Sequence, residues 1–462
     1  MTADTSIIET ADPPAGPPDD RVSRFLTPAV RAAARPERHG RLVRVVDLYA
    51  EVSGLDAASG DLVAIGHDGR LQAEVVAVGS DRLTVLPFGS FHGVRVGETV
   101  RALGSPSLAP TGPGLIGRVI DGLGRPLDGR GPLEVAARLP LRNDPPPPLD
   151  RPLVTRQLQT GVRAVDGLLP VGCGQRLGIM AGSGVGKSSL LSMLLRGTDA
   201  DVTVLALVGE RGREVREFIE SDLGPEGMAR CVIVVATSDQ PALVRRNAAF
   251  LATRIAESFR DGGADVLLLM DSLTRFAMAQ REIGLAAGEV PTAKGYPPSV
   301  FGLLPQLLER AGTSARGSVT GFYTVLVEGD DLNDPIGDTA RAILDGHVVL
   351  DRRLANAGHF PSIDVLHSSS RVAAKITDPD QQALAGEFRR LLAAHDEARD
   401  LVELGMYQQG SDPTIDLAIA LAEPMTAFAR QPMTELQPLE QTWSDLRASL
   451  TTAADRPGGA AR

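Results

Sequence analysis

One run of small residues, Ala181-Gly182-Ser183-Gly184-Val185-Gly186-Lys187-Ser188-Ser189, constrains this chain more than any other feature. It follows the apolar Arg176-Leu177-Gly178-Ile179-Met180 and precedes Leu190-Leu191-Ser192-Met193-Leu194-Leu195. That order reads as strand, glycine-rich loop, helix. In such a loop the glycines let backbone N–H groups converge on phosphate oxygens, and the helix N-terminus adds a favourable dipole. Gly182, Ser183, Gly184, Val185, Gly186 and Ser189 are the expected cradle for a nucleotide's phosphates, Lys187 reaches the terminal phosphates, and the Ser188 hydroxyl ligates Mg²⁺. Ala181 stands in the first glycine slot, where a small residue still turns.

A phosphate loop implies nucleotide binding, and hydrolysis needs further groups. Val266-Leu267-Leu268-Leu269-Met270-Asp271 is an apolar strand ending in a carboxylate, so Asp271 is placed to hold Mg²⁺ through its water shell. Leu207-Val208-Gly209-Glu210-Arg211-Gly212-Arg213-Glu214 closes the strand after the phosphate-loop helix. A carboxylate at that edge orients and polarises an attacking water, which makes Glu210 the expected general base. Its alternative is an acid favoured by a helix N-terminus.

The 462 residues suggest about three domains, and 43% apolar content fills a sizeable core. No run of about 18 apolar residues occurs, and Met1 to Asp20 is acidic and proline-rich. Neither a transmembrane helix nor a secretory signal is expected, which points to a soluble, intracellular chain. Cys173 and Cys231 read as small buried hydrophobes, and no Cys or His cluster has zinc spacing. The net charge of −11 argues against a broad nucleic-acid footprint, and one Trp with four Tyr leaves little for base stacking.

Residues 1–39 form an expected flexible segment. Within it, Val22, Phe25, Leu26, Ala29 and Val30 have helical spacing, so 20–34 is a candidate helix that docks on a partner or packs on its own barrel. Residues 40–105 carry short β-like runs (42–48, 62–65, 71–78, 83–86, 99–102) with glycine turns, the pattern of a small β-barrel. Residues 106–150 lead through 115–124 to the Pro145–Pro148 run and read as a linker region. From 151 to 377, apolar runs at 176–180, 202–207, 231–236, 266–270 and 319–327 alternate with helical segments, which predicts a mostly parallel sheet covered on both faces. Residues 378–450 read as a helical C-terminal domain, with Leu384, Phe388, Leu391 and Leu392 on one face and Leu417, Ile419, Leu421, Met425 and Phe428 further on. Residues 451–462 read as a tail.

The motifs at 182–189, 209–214 and 271–275, with Gly295-Tyr296-Pro297-Pro298-Ser299-Val300 and Ser368-Ser369-Ser370-Arg371, resemble the catalytic subunits of the rotary ATP synthase superfamily. Asp271 to Glu282, Leu308-Glu309-Arg310-Ala311-Gly312 and Thr324 to Asp331 are similar, more narrowly, to the flagellum-specific ATPase of the type III protein export apparatus. The resemblance spans about 40–445. It implies a small β-barrel, a RecA-like α/β domain and C-terminal helices, in a homohexameric ATPase ring with ATP sites between subunits. Lys187, Ser188, Glu210, Arg211, Asp271 and Arg275 would lie on one side of each site, and Arg371 would enter from the next subunit as an arginine finger. Phe360, in His359-Phe360-Pro361, would wall the adenine, and Met433 in Gln431-Pro432-Met433 takes the place of a family aromatic.

The implied work is export of flagellar proteins, at a cytoplasmic location with peripheral attachment at the inner membrane. The implied partners are a stator-like regulatory subunit at the N-terminal segment, a central stalk protein, export chaperones and substrates, and a membrane export gate, with no direct nucleic acid. A virulence-type secretion ATPase is the sibling reading. An RNA-translocating ring is a third, and it would want stacking aromatics between 40 and 103, where the chain has only Tyr49, Phe88 and Phe91.

Overall fold

A computed structural model describes residues 39–104, 106–327 and 334–451. The expected helix at 20–34, the Gly329-Asp330-Asp331 end of one motif and the tail from 452 onward lie outside the described residues.

Six short strands close a barrel: β1 (His39–Val45), β2 (Ala50–Ser53), β3 (Leu62–Ile65), β4 (Leu71–Val78), β5 (Arg82–Pro87) and β6 (Thr99–Ala102). The hydrogen-bonded order is β1-β2-β5-β4-β3-β6, antiparallel throughout. Alternate residues such as Leu42, Val52, Val63, Val75, Val85 and Val100 point inward to form the barrel core. Strand β2 is absent from the sequence reading because Ala-Glu-Val-Ser is too short and too polar to show a run. Phe91 is buried in the barrel core, while Tyr49 and Phe88 pack with Leu86 against Leu243 and Ile283. The three aromatics therefore do not form an open stacking surface.

A nine-stranded sheet is built on β7 (Val119–Asp121), β8 (Arg176–Ala181), β9 (Val202–Val208), β10 (Cys231–Ala236), β11 (Asp265–Asp271), β12 (Ser318–Leu326), β13 (Gly346–Leu350) and β14 (Ile363–Ser370). Their spatial order is β14-β13-β8-β12-β11-β9-β10-β7, with Gly312–Thr313 pairing β12 as the ninth strand. Neighbours along this path run parallel except β14, which is antiparallel to β13. Side chains alternate between two cores: Leu205 and Leu207 of β9 face one, while Val204, Ala206 and Val208 face the other. Burial on both faces explains why these strands read as unbroken apolar runs.

The region read as a linker contributes more than a spacer. Strand β7 adds to the sheet edge beside β10, and Leu108–Thr111 pairs with Ala137–Pro140. Three residues cannot display a period of two, so the sequence hid this strand. Pro148–Asp150 also forms a 3₁₀ turn, which proline tolerates at its first positions.

Three helices close the chain: Pro379–Glu403, Pro413–Ala429 and Leu439–Ser449. Asp378 caps the first in a reciprocal capping box with Gln381. Phe388, Leu391, Leu421, Met425, Phe428, Trp443 and Leu446 join the core that holds Val162, Val165, Leu168 and the phosphate-loop helix. Ile419, expected inward, is 36% exposed, because the helix turns that position away from its neighbours. Cys173 and Cys231 are buried free thiols, and burial pushes them up to about 12 and about 11.

The Leu308 to Gly312 motif proves to be a fastener. Glu257, on helix Ala242–Asp261, is fully buried. Its carboxylate accepts two hydrogen bonds from Arg310 (2.7 and 2.8 Å), one from Arg254 (3.0 Å) and one from Asn143 (3.0 Å). Arg310 also donates to the Leu141 carbonyl (3.0 Å) and lies over the Phe250 ring. Glu309 pairs with Arg176 at 2.7 Å. Burial works to raise the Glu257 pKa, but the Arg310 bonds and charge, with Asn143 and Arg254, outweigh it and hold the carboxyl below its ordinary value. A depressed folded-state pKa adds stability above the unfolded-state value, and that stability is lost as pH falls through the folded one. Glu257→Gln leaves a buried guanidinium without its counter-charge, so urea denaturation at pH 7 should show a loss of about 3–5 kcal/mol. The wild-type advantage should shrink below about pH 4.5, the ordinary glutamate value.

Candidate active site

Strands β8 and β9 are consecutive in the chain's α/β region but not neighbours in space, since β11 and β12 lie between them. The carboxyl ends of these four strands open onto one crevice, the usual ligand position in such sheets. Gly184 (φ +76°) and Gly186 (φ +91°) turn the loop out of β8 in conformations that only glycine adopts without strain. The helix Lys187–Gly197 starts at once after Gly186.

The crevice holds a cavity of about 910 Å³. Gly182, Ser183, Gly184, Gly186, Lys187, Ser188, Ser189, Glu210, Arg211 and Arg275 all line it. Val185 turns inward and is buried, and its carbonyl accepts from the Ser362 hydroxyl at 2.6 Å. Lys187 Nζ donates to Asp271 Oδ1 and, at 3.3 Å, to Glu210 Oε1. Thr324 Oγ1, from β12, donates to the same Asp271 oxygen at 2.6 Å. One ammonium therefore joins the carboxylates that end β9 and β11.

Burial lowers the Lys187 pKa, but Asp271 and Glu210 overcome that and the net direction is upward, so the ammonium stays charged. Glu210 is raised, first by burial and then by the Asp271 charge, with Lys187 opposing. A carboxylate raised above its ordinary value is a stronger base when ionised.

Arg211 is exposed and pairs with Glu214 at 2.8 Å, at the cavity wall and apart from the Lys187 cluster. Phe360 does not line the cavity: its ring packs across the loop, 3.3 Å from the Cβ that a side chain at Gly186 would carry. Met433 packs against the core beneath. Arg371 is remote. Strand β14 runs antiparallel, so Ser370 pairs with Gly346 at the amino edge of the sheet, whereas Ala181 pairs with Leu350 at the loop. Four residues at about 3.3 Å each separate the two levels by roughly 13 Å. The Arg371 backbone N–H donates to Asp345 O, and its guanidinium donates to Arg341 O.

Sequence reasoning did not assign Arg281, Lys294, Tyr296, Asp334 or Arg352, all of which line the cavity. Arg352 donates to the Ser183 carbonyl at 3.2 Å, clasping the loop from the segment after β13. Tyr296 belongs to the Gly-Tyr-Pro-Pro stretch that carried only the resemblance, Lys294 stands just before that stretch, and Arg352 had no motif. Lys187, Arg211, Arg275, Arg281, Lys294 and Arg352 face Glu210, Glu214 and Asp334, so the lining carries a cationic surplus suited to a polyphosphate.

Residues 161–370 match the family model of the ATP synthase alpha/beta family, nucleotide-binding domain, and residues 377–448 match that of the T3SS EscN ATPase C-terminal domain. The chain is 50% identical to the flagellum-specific ATP synthase of Bacillus subtilis, over 90% of this chain and 95% of that one. It is 51% identical to the SPI-2 type 3 secretion system ATPase of Salmonella typhimurium, over 87% and 93%. Among solved structures, the assembled ATPase EscN of the enteropathogenic E. coli type III secretion system superposes with a TM-score of 0.86. It is 43% identical and covers 89% of this chain and 100% of its own. The same ATPase in complex with its central stalk EscO gives a TM-score of 0.83 at 42% identity, with the same two coverages.

The contact between Gly186 and Phe360 yields a test. A Cβ at a φ of +91° and 3.3 Å from the ring is strained twice, so Gly186→Ala should weaken ATP binding about tenfold or more in a fluorescence titration.

Proposed function

This chain belongs to the flagellar and type III secretion ATPases of the ATP synthase alpha/beta family, and from that membership we propose that it hydrolyses ATP to drive export of flagellar proteins through a type III secretion apparatus. The observation that carries the chemistry is the pairing of one lysine, Lys187, with two carboxylates at the ends of strands β9 and β11.

Lys187 and the loop N–H groups bind the phosphates of ATP. Glu210, raised by burial, orients and takes a proton from the attacking water. Thr324 and Lys187 hold Asp271 in place. Ser188 and Asp271 supply one hydroxyl and one carboxylate, a hard-oxygen pair that would help to hold Mg²⁺ arriving with the nucleotide. Bound there, the ion would neutralise charge on the phosphates. Among the described residues no group of three or more His, Cys, Asp or Glu forms a self-sufficient cage, in keeping with a metal shared with its substrate.

Arg371 serves a neighbouring subunit's site in a homohexamer. Its distance from its own loop supports that reading, as does the likeness to an assembled ATPase. A central stalk protein is the partner that the EscN–EscO complex supports. The stator-like subunit at residues 1–39, the export chaperones and substrates, and the membrane export gate complete the proposal. The ATPase works in the cytoplasm beside the inner membrane; among the described residues no helix is long and apolar enough to cross a membrane. Export by a virulence-type apparatus is the second reading, favoured by relatives of that kind at equal identity.

Glu210→Gln should keep ATP binding and lose at least about 100-fold in kcat. Arg371→Ala should lose on the order of 10³-fold. Mixing the two variants should restore turnover, because an Arg371→Ala subunit still offers Glu210 to a neighbour that retains Arg371. Steady-state ATPase assays of the mixture check this, and no recovery would sink the shared site. In cells, Lys187→Ala should abolish swimming and release of flagellar proteins; loss of effector secretion with motility intact would favour the virulence-type reading.

A further inference from the structure

We propose that Gln431 is a positioning residue for nucleotide binding: it fastens the base-side aromatic Phe360 to the C-terminal helices, so that those helices set how tightly the site grips the adenine. The inference rests on the reading of Phe360 as the adenine wall.

Phe360 is 45% exposed, so little core packing fixes its ring. Its place over Gly186 depends on its backbone tethers. Two residues on, the Ser362 hydroxyl donates to the Val185 carbonyl at 2.6 Å and ties the segment to the phosphate loop. On the other side the Gln431 backbone N–H donates to the Phe360 carbonyl at 2.9 Å. The Gln431 side chain is itself buried, and both ends of its amide are engaged. Its oxygen accepts from the Arg163 backbone N–H (2.8 Å), and its NH₂ donates to the carbonyls of Gly161 (2.8 Å) and Glu435 (2.9 Å). A buried amide with each group paired has one orientation only, since any rotation leaves a polar group unsatisfied.

The same junction locks the helix Pro413–Ala429. Arg163 donates to the Phe428 carbonyl at 3.0 Å and to the Arg430 carbonyl, and pairs with Glu435 at 2.6 Å. A guanidinium at a helix C-terminus satisfies its last carbonyls and complements its dipole. Gly161 in turn lies against Gly197 at the far end of the phosphate-loop helix, where no Cβ would fit. Gln431 thus joins four segments: the base-side strand entry, the end of one C-terminal helix, the turn before the next, and the seat of the phosphate-loop helix. A shift of the C-terminal helices must move the Phe360 peptide or break these bonds.

The test uses the full-length ATPase and two competitors of a fluorescent ATP analogue: ATP, and inorganic tripolyphosphate, which has no base. Gln431→Leu should raise the Kd of ATP about tenfold, the scale of one or two lost hydrogen bonds, and leave that of tripolyphosphate unchanged. Equal weakening of both probes, or of neither, overturns the inference. Phe360→Ala is run alongside. If it leaves ATP affinity intact, the adenine-wall reading fails; if it weakens ATP while Gln431→Leu does not, only the positioning role fails. In the Phe360→Ala background, Gln431→Leu should add little further loss, as coupled positions do. Should the leucine variant not fold, Gln431→Asn keeps the amide one methylene short and is held to the same criteria.

Discussion

A sheet covered on both faces by apolar side chains leaves ionisable groups one place to stand, at the ends of its strands. That constraint organises this protein. Strands β9 and β11 are buried along their length; Glu210 stands two residues past the end of β9 and lines the cavity, and Asp271 ends β11 just beneath it, buried against Lys187 and Thr324. Because β11 and β12 separate β8 from β9, those ends open around the loop instead of being closed by a crossover helix. The site follows from the sheet order, and its charges are tolerable because Lys187 lies between the two carboxylates.

The same burial joins the parts of the chain. The C-terminal helices lack a core of their own and complete the one beneath the phosphate-loop helix. On the opposite face, Glu257 and Arg310 bind the segment around Leu141 to the sheet's helices with a buried ion pair. Arg246 and Glu74, also buried, pair across the junction between barrel and α/β region at 2.7 Å. Polar contacts of this kind tolerate little displacement, so neighbouring units hold fixed relations while the strand ends stay open to solvent.

Much of the fold could be read in advance because parallel strands buried on both sides are apolar without alternation, and phosphate loops need glycine at set positions. Legibility failed where elements are short or their burial is one-sided. Strand β7 has three residues, β2 alternates with polar ones, and Ile419, two residues from both Leu417 and Leu421, falls on the opposite side of its helix and faces outward. The Leu308 to Gly312 motif was visible as a resemblance, but its role as a fastener rather than a reacting group depends on Glu257, 53 residues away.

By itself the sequence determined the phosphate loop, the carboxylates at strand ends and the helical close, since these depend on local backbone requirements and on periodic burial. Only the tertiary structure decided which of those groups meet. Lys187 reaches Glu210 across 23 residues and Asp271 across 84, and Gln431 reaches Gly161 across 270. The distance between Arg371 and its own loop was likewise set by the antiparallel turn of β14, which no local pattern announces. Contacts at such separations follow from strand order and crossover connections, which arise from packing the whole chain and are not written in any one segment of it.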